Sequence, residues 1–260
     1  MTRVIAITSG KGGVGKTTLT ANLGIGLALQ NQKVLLIDAD IAMANLSLHL
    51  GMQNTPITLH DVLLGEASIA DCVYDGPNKI EIIPSGLSIE SYRKIDPTRL
   101  KGIVDSIKDK YDFILIDTAA GIERIALAAL SASTEVLLVV EPTSSSIADA
   151  LKTKISAQKL NCKIIGVILN KVFNEKGEIS SENISRMLEL PVYAIIPFDE
   201  IVRRSFYEER APFMASGKQT PAMNEVNKIV SRLIGIPIKE TSTKESFIKR
   251  FLNKIFKHKQ

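Results

Sequence analysis

Eight residues near the start of the chain, Gly10-Lys11-Gly12-Gly13-Val14-Gly15-Lys16-Thr17, satisfy the spacing G-x-x-x-x-G-K-[ST]. Glycines let the backbone curl until successive N–H groups converge on phosphate oxygens, and a helix beginning near Lys16 would add its positive end. Lys16 would then meet the β- and γ-phosphates of a nucleotide, and the Thr17 hydroxyl would coordinate Mg²⁺. A second signal lies downstream. Phe113-Ile114-Leu115-Ile116-Asp117 is an apolar run ending in a carboxylate, which a buried strand could deliver beside that metal through water. Gly121 follows four residues later, where its N–H could serve a γ-phosphate and move when that phosphate leaves. The histidines, His49, His60 and His258, are scattered without ligand spacing and receive no chemistry.

Such residues need a scaffold that brings strand ends together. Short β-branched apolar runs recur at Val4–Thr8, Val34–Ile37, Ile80–Ile83, Phe113–Ile116, Val136–Val140, Ile164–Leu169 and Val192–Ile196. Between them lie amphipathic stretches of helical length: Thr17–Gln30, Pro97–Lys110, Ile122–Ala132, Ile147–Lys159, Ser181–Leu188, Ile201–Glu209 and Pro221–Ile234. Runs apolar on both faces imply an α/β fold, a mostly parallel sheet of seven or eight strands flanked by helices. Ser180 or Ser181 can cap one helix, and Asp96-Pro97 sets a cap residue before a proline at a first helical position. Residues 58–73 read as short helices around the nucleotide face.

The 260 residues are 45% hydrophobic and 23% charged, which excludes collagen-like, disordered and disulfide-scaffold classes. Two cysteines, Cys72 and Cys162, form no C-x-x-C, so neither a disulfide framework nor a cysteine-ligated cluster is expected, and a reducing, cytoplasmic setting is. No apolar run approaches the roughly 18 residues that span a bilayer, and the N-terminus lacks a signal peptide's pattern. The formal charge of +4 is uneven: from Lys239 onward seven basic residues face two acidic ones, so residues 1–238 carry 25 basic and 26 acidic groups. A general nucleic-acid surface on the main domain is therefore not expected.

The loop carries a second lysine, Lys11, that phosphate binding does not require. Lys11 to Thr18, K-G-G-x-G-K-T-T, resembles the deviant phosphate loop of the MinD/ParA group of P-loop ATPases. Asp38-Ala39-Asp40 through Asn45 is similar to that group's D-x-D switch I, Asp117 to Gly121 to its switch II, and Asn170-Lys171 to its base-recognition pair. The resemblance implies ATP and Mg²⁺ as ligands and hydrolysis that is slow without a partner. It also implies a face-to-face dimer in which Lys11 reaches the partner's phosphates. Asp40 would orient or deprotonate the attacking water, Asp38 would support the Mg²⁺ shell, and Asn45 would join switch I contacts. Gly10 through Thr18 would hold the phosphates, while Asn170, Lys171, Pro197 and Asp199 would line the base pocket. One departure stands out: Ala119 occupies the switch II proline position, so that loop is expected to be less constrained.

The C-terminus has its own pattern. Residues 239–244 are polar and read as a linker, and in 245–260 Phe247, Ile248, Phe251, Leu252, Ile255 and Phe256 form one apolar helical stripe. Lys249, Arg250 and Lys254 flank it, a composition suited to an anionic membrane surface. Burying six such side chains yields roughly 9 to 18 kcal/mol. Ordering the segment costs on the order of 15 kcal/mol, so one tail binds marginally and two on a dimer gain avidity. These features point to an ATP-driven spatial regulator peripheral to the cytoplasmic face of the membrane. Its work would be division-site or polar-structure placement, and a protein partner would stimulate hydrolysis. A DNA-partitioning ATPase and an iron–sulfur carrier are the alternatives, disfavoured by the near-neutral main domain and by the cysteines.

Overall fold

The computed structural model describes residues 1–41, 43–52, 54–86, 94–207 and 220–236. Residues 208–209 of one expected helix, the 239–244 linker and the whole 245–260 stripe lie outside them.

Eight strands form one sheet: β1 (Arg3–Thr8), β2 (Val34–Ala39), β3 (Tyr74–Asp75), β4 (Glu81–Ile83), β5 (Phe113–Thr118), β6 (Glu135–Val140), β7 (Lys163–Val172) and β8 (Val192–Pro197). Their order is β3-β4-β2-β5-β1-β6-β7-β8, and every pairing is parallel except β3 with β4. All six residues of β2 and of β5 are buried, as continuous apolar runs require when helices cover both faces.

Among the described residues the α-helices are α1 (Lys16–Leu29), α2 (Leu46–His49), α3 (Leu59–Leu64), α4 (Arg99–Ile107), α5 (Arg124–Ala132), α6 (Ser144–Lys159), α7 (Ser181–Leu188), α8 (Glu200–Tyr207) and α9 (Pro221–Leu233). On one face α1 and α9 pack over β1, β2, β5 and β8 through Leu23, Leu27, Leu36, Val226 and Ile229. On the other, α3, α4 and α5 share a core with Leu35, Ile37, Ile114 and Ile116. Sandwiched between the sheet and α9, α1 is buried continuously from Leu19 to Leu27, and it is apolar nearly all round for that reason.

Several boundaries differ from the expected ones, each for a local reason. Asp96 accepts from the Thr98 N–H at 3.1 Å and its hydroxyl at 2.7 Å, which holds Pro97–Thr98 in a turn and delays α4 to Arg99. The end of the same stretch, Lys108–Lys110, tightens into a 3₁₀ turn. Helix α6 starts three residues early at Ser144, because the Thr143 hydroxyl caps the Ser146 N–H and makes helix of a serine run that resembles a loop. Strand β7 continues past Leu169 to Val172, where its ladder resumes opposite Pro197 after a register shift. Asn170 thus lies within the strand. The two-residue β3 is too short to leave a periodic signal.

Strand β1 is the hub. It pairs with β5 on one side and β6 on the other, so the chain winds outward in both directions from it. In sheets of this kind the crevice beyond the strand carboxyl ends at that reversal is where ligands bind, and the loop after β1 carries the glycine-rich segment.

Candidate nucleotide site

Between Thr8 and Lys16 the backbone makes a compact loop. Gly13 and Gly15 hold φ of +77° and +96°, conformations open to glycine at little cost. Gly10 serves close approach instead: a Cβ there would fall 2.2 Å from the Asp149 carbonyl carbon of α6. Val14 tucks wholly into the core beneath the loop, and the Ser9 hydroxyl donates to the Lys11 carbonyl at 2.7 Å. The two lysines occupy opposite environments. Lys16, in the first turn of α1, is only 6% exposed, whereas Lys11, Gly12 and Gly13 stand in solvent at the crest.

Two carboxylates are made direct neighbours by the sheet register, Asp38 at the end of β2 and Asp117 at the end of β5, and the Lys16 charge acts on Asp117 and on Asp40. Asp38 and Asp117 are buried, at 0% and 1% exposure. Burial raises the Asp38 carboxyl well above its ordinary range and the neighbouring Asp117 raises it further, against the N–H bonds it accepts from Asp40 and Leu46, both 3.1 Å. Burial pushes Asp117 up to about 7, opposed by a Thr17 hydrogen bond, the Lys16 charge and the Thr20 hydroxyl at 3.4 Å. Asp40 is half-buried, is also raised by burial, and accepts from the Met43 N–H at 3.2 Å. Paired carboxylates out of water, with a hydroxyl at hand, form an all-oxygen donor set, and a hard divalent cation such as Mg²⁺ fits it. Among the described residues no cluster of three or more His, Cys, Asp or Glu could hold an ion, so phosphate oxygens and water would complete the shell.

The remaining expected residues are placed unevenly. Gly121, at φ +83°, donates its N–H to the Ser9 carbonyl at 2.9 Å, tying the loop after β5 to the root of the phosphate loop. Asn170 and Lys171 converge on the loop itself: the Asn170 amide donates to the Val14 carbonyl at 2.7 Å and the Lys171 ammonium to Gly13 at 2.5 Å. Lys171 holds φ of +55°, unusual for a residue with a side chain, and pairs with Glu141 at 3.0 Å. Pro197 closes β8, and the next residue, Phe198, donates its N–H to Val172 and stacks on Phe173 with centroids 4.4 Å apart. Asp199 accepts from the Ile201 N–H through Oδ1, while its Oδ2 is buried with no hydrogen-bond partner among the described residues. The Asn45 side chain bonds locally. It is exposed, and its amide donates to the Met43 carbonyl at 3.0 Å without capping α2.

Sequence reasoning missed Glu141 and His49. The His49 Nε2 lies 3.2 Å from the Thr18 hydroxyl and its Nδ1 3.0 Å from the Asn45 carbonyl. Neither residue has a local pattern that could have flagged it, since their partners lie far along the chain. Cys72 and Cys162 are free and buried in separate parts of the core. No helix among the described residues is long and apolar enough to cross a membrane.

A family model described as an AAA domain matches residues 2–167. An uncharacterised ATP-binding protein of Methanocaldococcus jannaschii is 41% identical over 258 residues, 98% of this chain and 97% of its own length. The solved septum site-determining protein MinD of Pyrococcus horikoshii, complexed with Mg-ADP, aligns with a TM-score of 0.85 at 38% identity, covering 90% of this chain and 96% of that one. A chain of the MinC:MinD cell division complex of Aquifex aeolicus aligns with a TM-score of 0.81 at 34% identity, covering 92% and 98%.

Proposed function

The chain belongs to the MinD/ParA family of P-loop ATPases, and from that premise we propose that it is a Mg²⁺-dependent ATP-hydrolysing spatial regulator. In this reading two copies clasp ATP between them and, once paired, hold an anionic membrane surface on its cytoplasmic face through residues 245–260. The observation that carries it is the contrast within one loop: Lys16 is buried, its charge acting on Asp117 and Asp40 of its own chain, whereas Lys11 is exposed and so available to a second molecule's phosphates.

The chemistry is in-line attack of water on the γ-phosphate, giving ADP and inorganic phosphate. Loop N–H groups from Gly10 to Thr18 and the Lys16 ammonium cradle the β- and γ-phosphates. Thr17, Asp38 and Asp117 would hold Mg²⁺, which would supply positive charge against the phosphate oxygens. Asp40, half-buried at the mouth, orients the attacking water and accepts its proton, a task helped by a carboxyl raised above its usual range. Lys11 of the second copy adds a cation where negative charge develops, which makes turnover depend on pairing. The Gly121 N–H exchanges its Ser9 carbonyl for a γ-phosphate oxygen and returns when that phosphate leaves. Asn170, Pro197 and Asp199 face the base, and the unpaired Oδ2 of Asp199 suits an exocyclic amine such as that of adenine.

Membrane binding rests on the stripe of Phe247, Ile248, Phe251, Leu252, Ile255 and Phe256 with its flanking Lys249, Arg250 and Lys254. The MinC:MinD complex of Aquifex aeolicus supports a protein effector for this chain too, in division-site or polar-structure placement. Sedimentation with anionic vesicles tests the cycle: a non-hydrolysable ATP analogue should carry the protein into the pellet and ADP should not. Equal pelleting with both nucleotides would remove the switch.

A further inference from the structure

His49 closes α2, the short helix that follows the Asp38–Asn45 segment, and it touches the phosphate-loop helix across a sequence gap of 31 residues. A carbonyl only accepts, so the 3.0 Å contact with the Asn45 oxygen fixes the proton on Nδ1. The neutral ring then presents a bare Nε2, and the Thr18 hydroxyl, 3.2 Å away, donates to it. One imidazole therefore joins Thr18, in the first turn of α1, to the backbone at the end of switch I. The ring is half-buried, and burial lowers its affinity for a second proton, which favours the neutral form this arrangement needs. Thr18 follows Thr17 in the first turn of α1, beside the loop N–H groups that hold the phosphates in the proposed function.

We infer that His49 is a positioning residue that latches switch I to the phosphate loop, so that nucleotide occupancy at the loop and the arrangement of residues 43–52 bias one another. The physical basis is the Thr18 hydroxyl, whose single hydrogen can serve the imidazole or a phosphate oxygen but not both. A nucleotide that engages Thr18 alters the bond to His49, and the imidazole passes that change to Asn45 and α2. By linkage the dependence is reciprocal, so cutting the latch changes nucleotide affinity as well. Removing one such hydrogen bond corresponds to about a two- to tenfold effect on the coupled equilibrium.

The inference rests on the phosphate loop being the nucleotide site, and Mg-ADP is the probe for both. Hydrogen–deuterium exchange of the 43–52 segment is measured in the full chain with and without Mg-ADP, alongside Mg-ADP affinity by titration calorimetry. His49→Phe keeps the ring's bulk and removes both nitrogens, and Thr18→Val cuts the other end. In the unaltered protein Mg-ADP should change exchange across 43–52. In each variant that change should shrink about two- to tenfold, and the double variant should behave like either single one. If His49→Phe is poorly folded, His49→Gln, which can reach Thr18 but not hold both partners, should give an intermediate coupling. Mg-ADP binding with no change at 43–52, or an undiminished change in the variants, overturns the latch while leaving the nucleotide site standing. An unaltered protein that does not bind Mg-ADP removes both.

Discussion

Asp117→Asn should make the metal-free protein more stable while disabling its site. Asp38 and Asp117 sit side by side in the sheet register, out of water, with Lys16 the nearby cation that lowers Asp117. The rise of Asp117 from 3.8 to about 7, at 1.36 kcal/mol per pH unit, sets the cost of holding it ionised at pH 8 near 4 kcal/mol. Asparagine removes that charge, keeps an oxygen for the Thr20 hydroxyl, and offers an N–H to Asp38, whose own ionisation becomes easier. The expected gain is about 2 to 4 kcal/mol, or roughly 5 to 15 °C in Tm for a chain of this size.

The sign of the pH dependence follows from the same shift. The folded-state pKa lies above the unfolded one, so between about 4 and 7 the folded protein binds more protons, and its stability falls as pH rises through that window. The variant should lose most of this slope. Thermal and urea unfolding in EDTA, without nucleotide, from pH 4 to 8 reads both quantities. Mg-ADP should then raise the Tm of the unaltered protein far more than that of the variant. A variant equally stable or less stable than its parent at pH 8, or one with the full pH slope, would refute the claim that this pair is a strained cation site.

Three further outcomes probe the loop. Gly10→Ala sets a methyl 2.2 Å from the Asp149 backbone, which cannot swing aside. The loop should shift and nucleotide affinity fall about a hundredfold, and titration with a fluorescent nucleotide would show parental affinity if the packing were looser. Glu141→Gln releases one anchor of Lys171 in a partly exposed ion pair. Stability should change by less than about 1 kcal/mol while nucleotide affinity drops severalfold, and calorimetry finding the reverse would make the pair merely structural. Lys11→Ala should slow hydrolysis about a thousandfold while a single chain still binds ADP, and phosphate release at the parental rate would end the proposed role in trans.

What the sequence made legible was chemistry that repeats along the backbone. Continuous apolar runs such as Val34–Ile37 and Phe113–Ile116 gave up the parallel sheet, because a strand buried on both faces has no polar side to alternate. The phosphate loop was equally plain, since its glycines, lysine and threonine act through residues within one turn of each other. Boundaries were blurred where a single side chain decides them, as Asp96 does for α4 and Thr143 for α6. What spacing could not supply was anything set by a partner far along the chain: the register that makes Asp38 and Asp117 neighbours, the Lys171 bond to Gly13 across 158 positions, or the His49 contact with Thr18.

That division has a consequence for the site. A phosphate loop binds by backbone N–H groups, which any sequence that folds this way supplies. How firmly the loop is held, and what hears of its occupancy, depends on Asn170 and Lys171 reaching it from β7, on Glu141 anchoring Lys171, and on His49 of α2 touching Thr18 in the first turn of α1. Asn170 and Lys171 illustrate the point: the resemblance assigns them to the base, and each also donates to a loop carbonyl, of Val14 and of Gly13. If those residues also meet the base under the proposed function, base recognition and phosphate grip are joined at the end of β7. Two chains with the same loop can then differ in affinity and switching through residues that never touch the nucleotide.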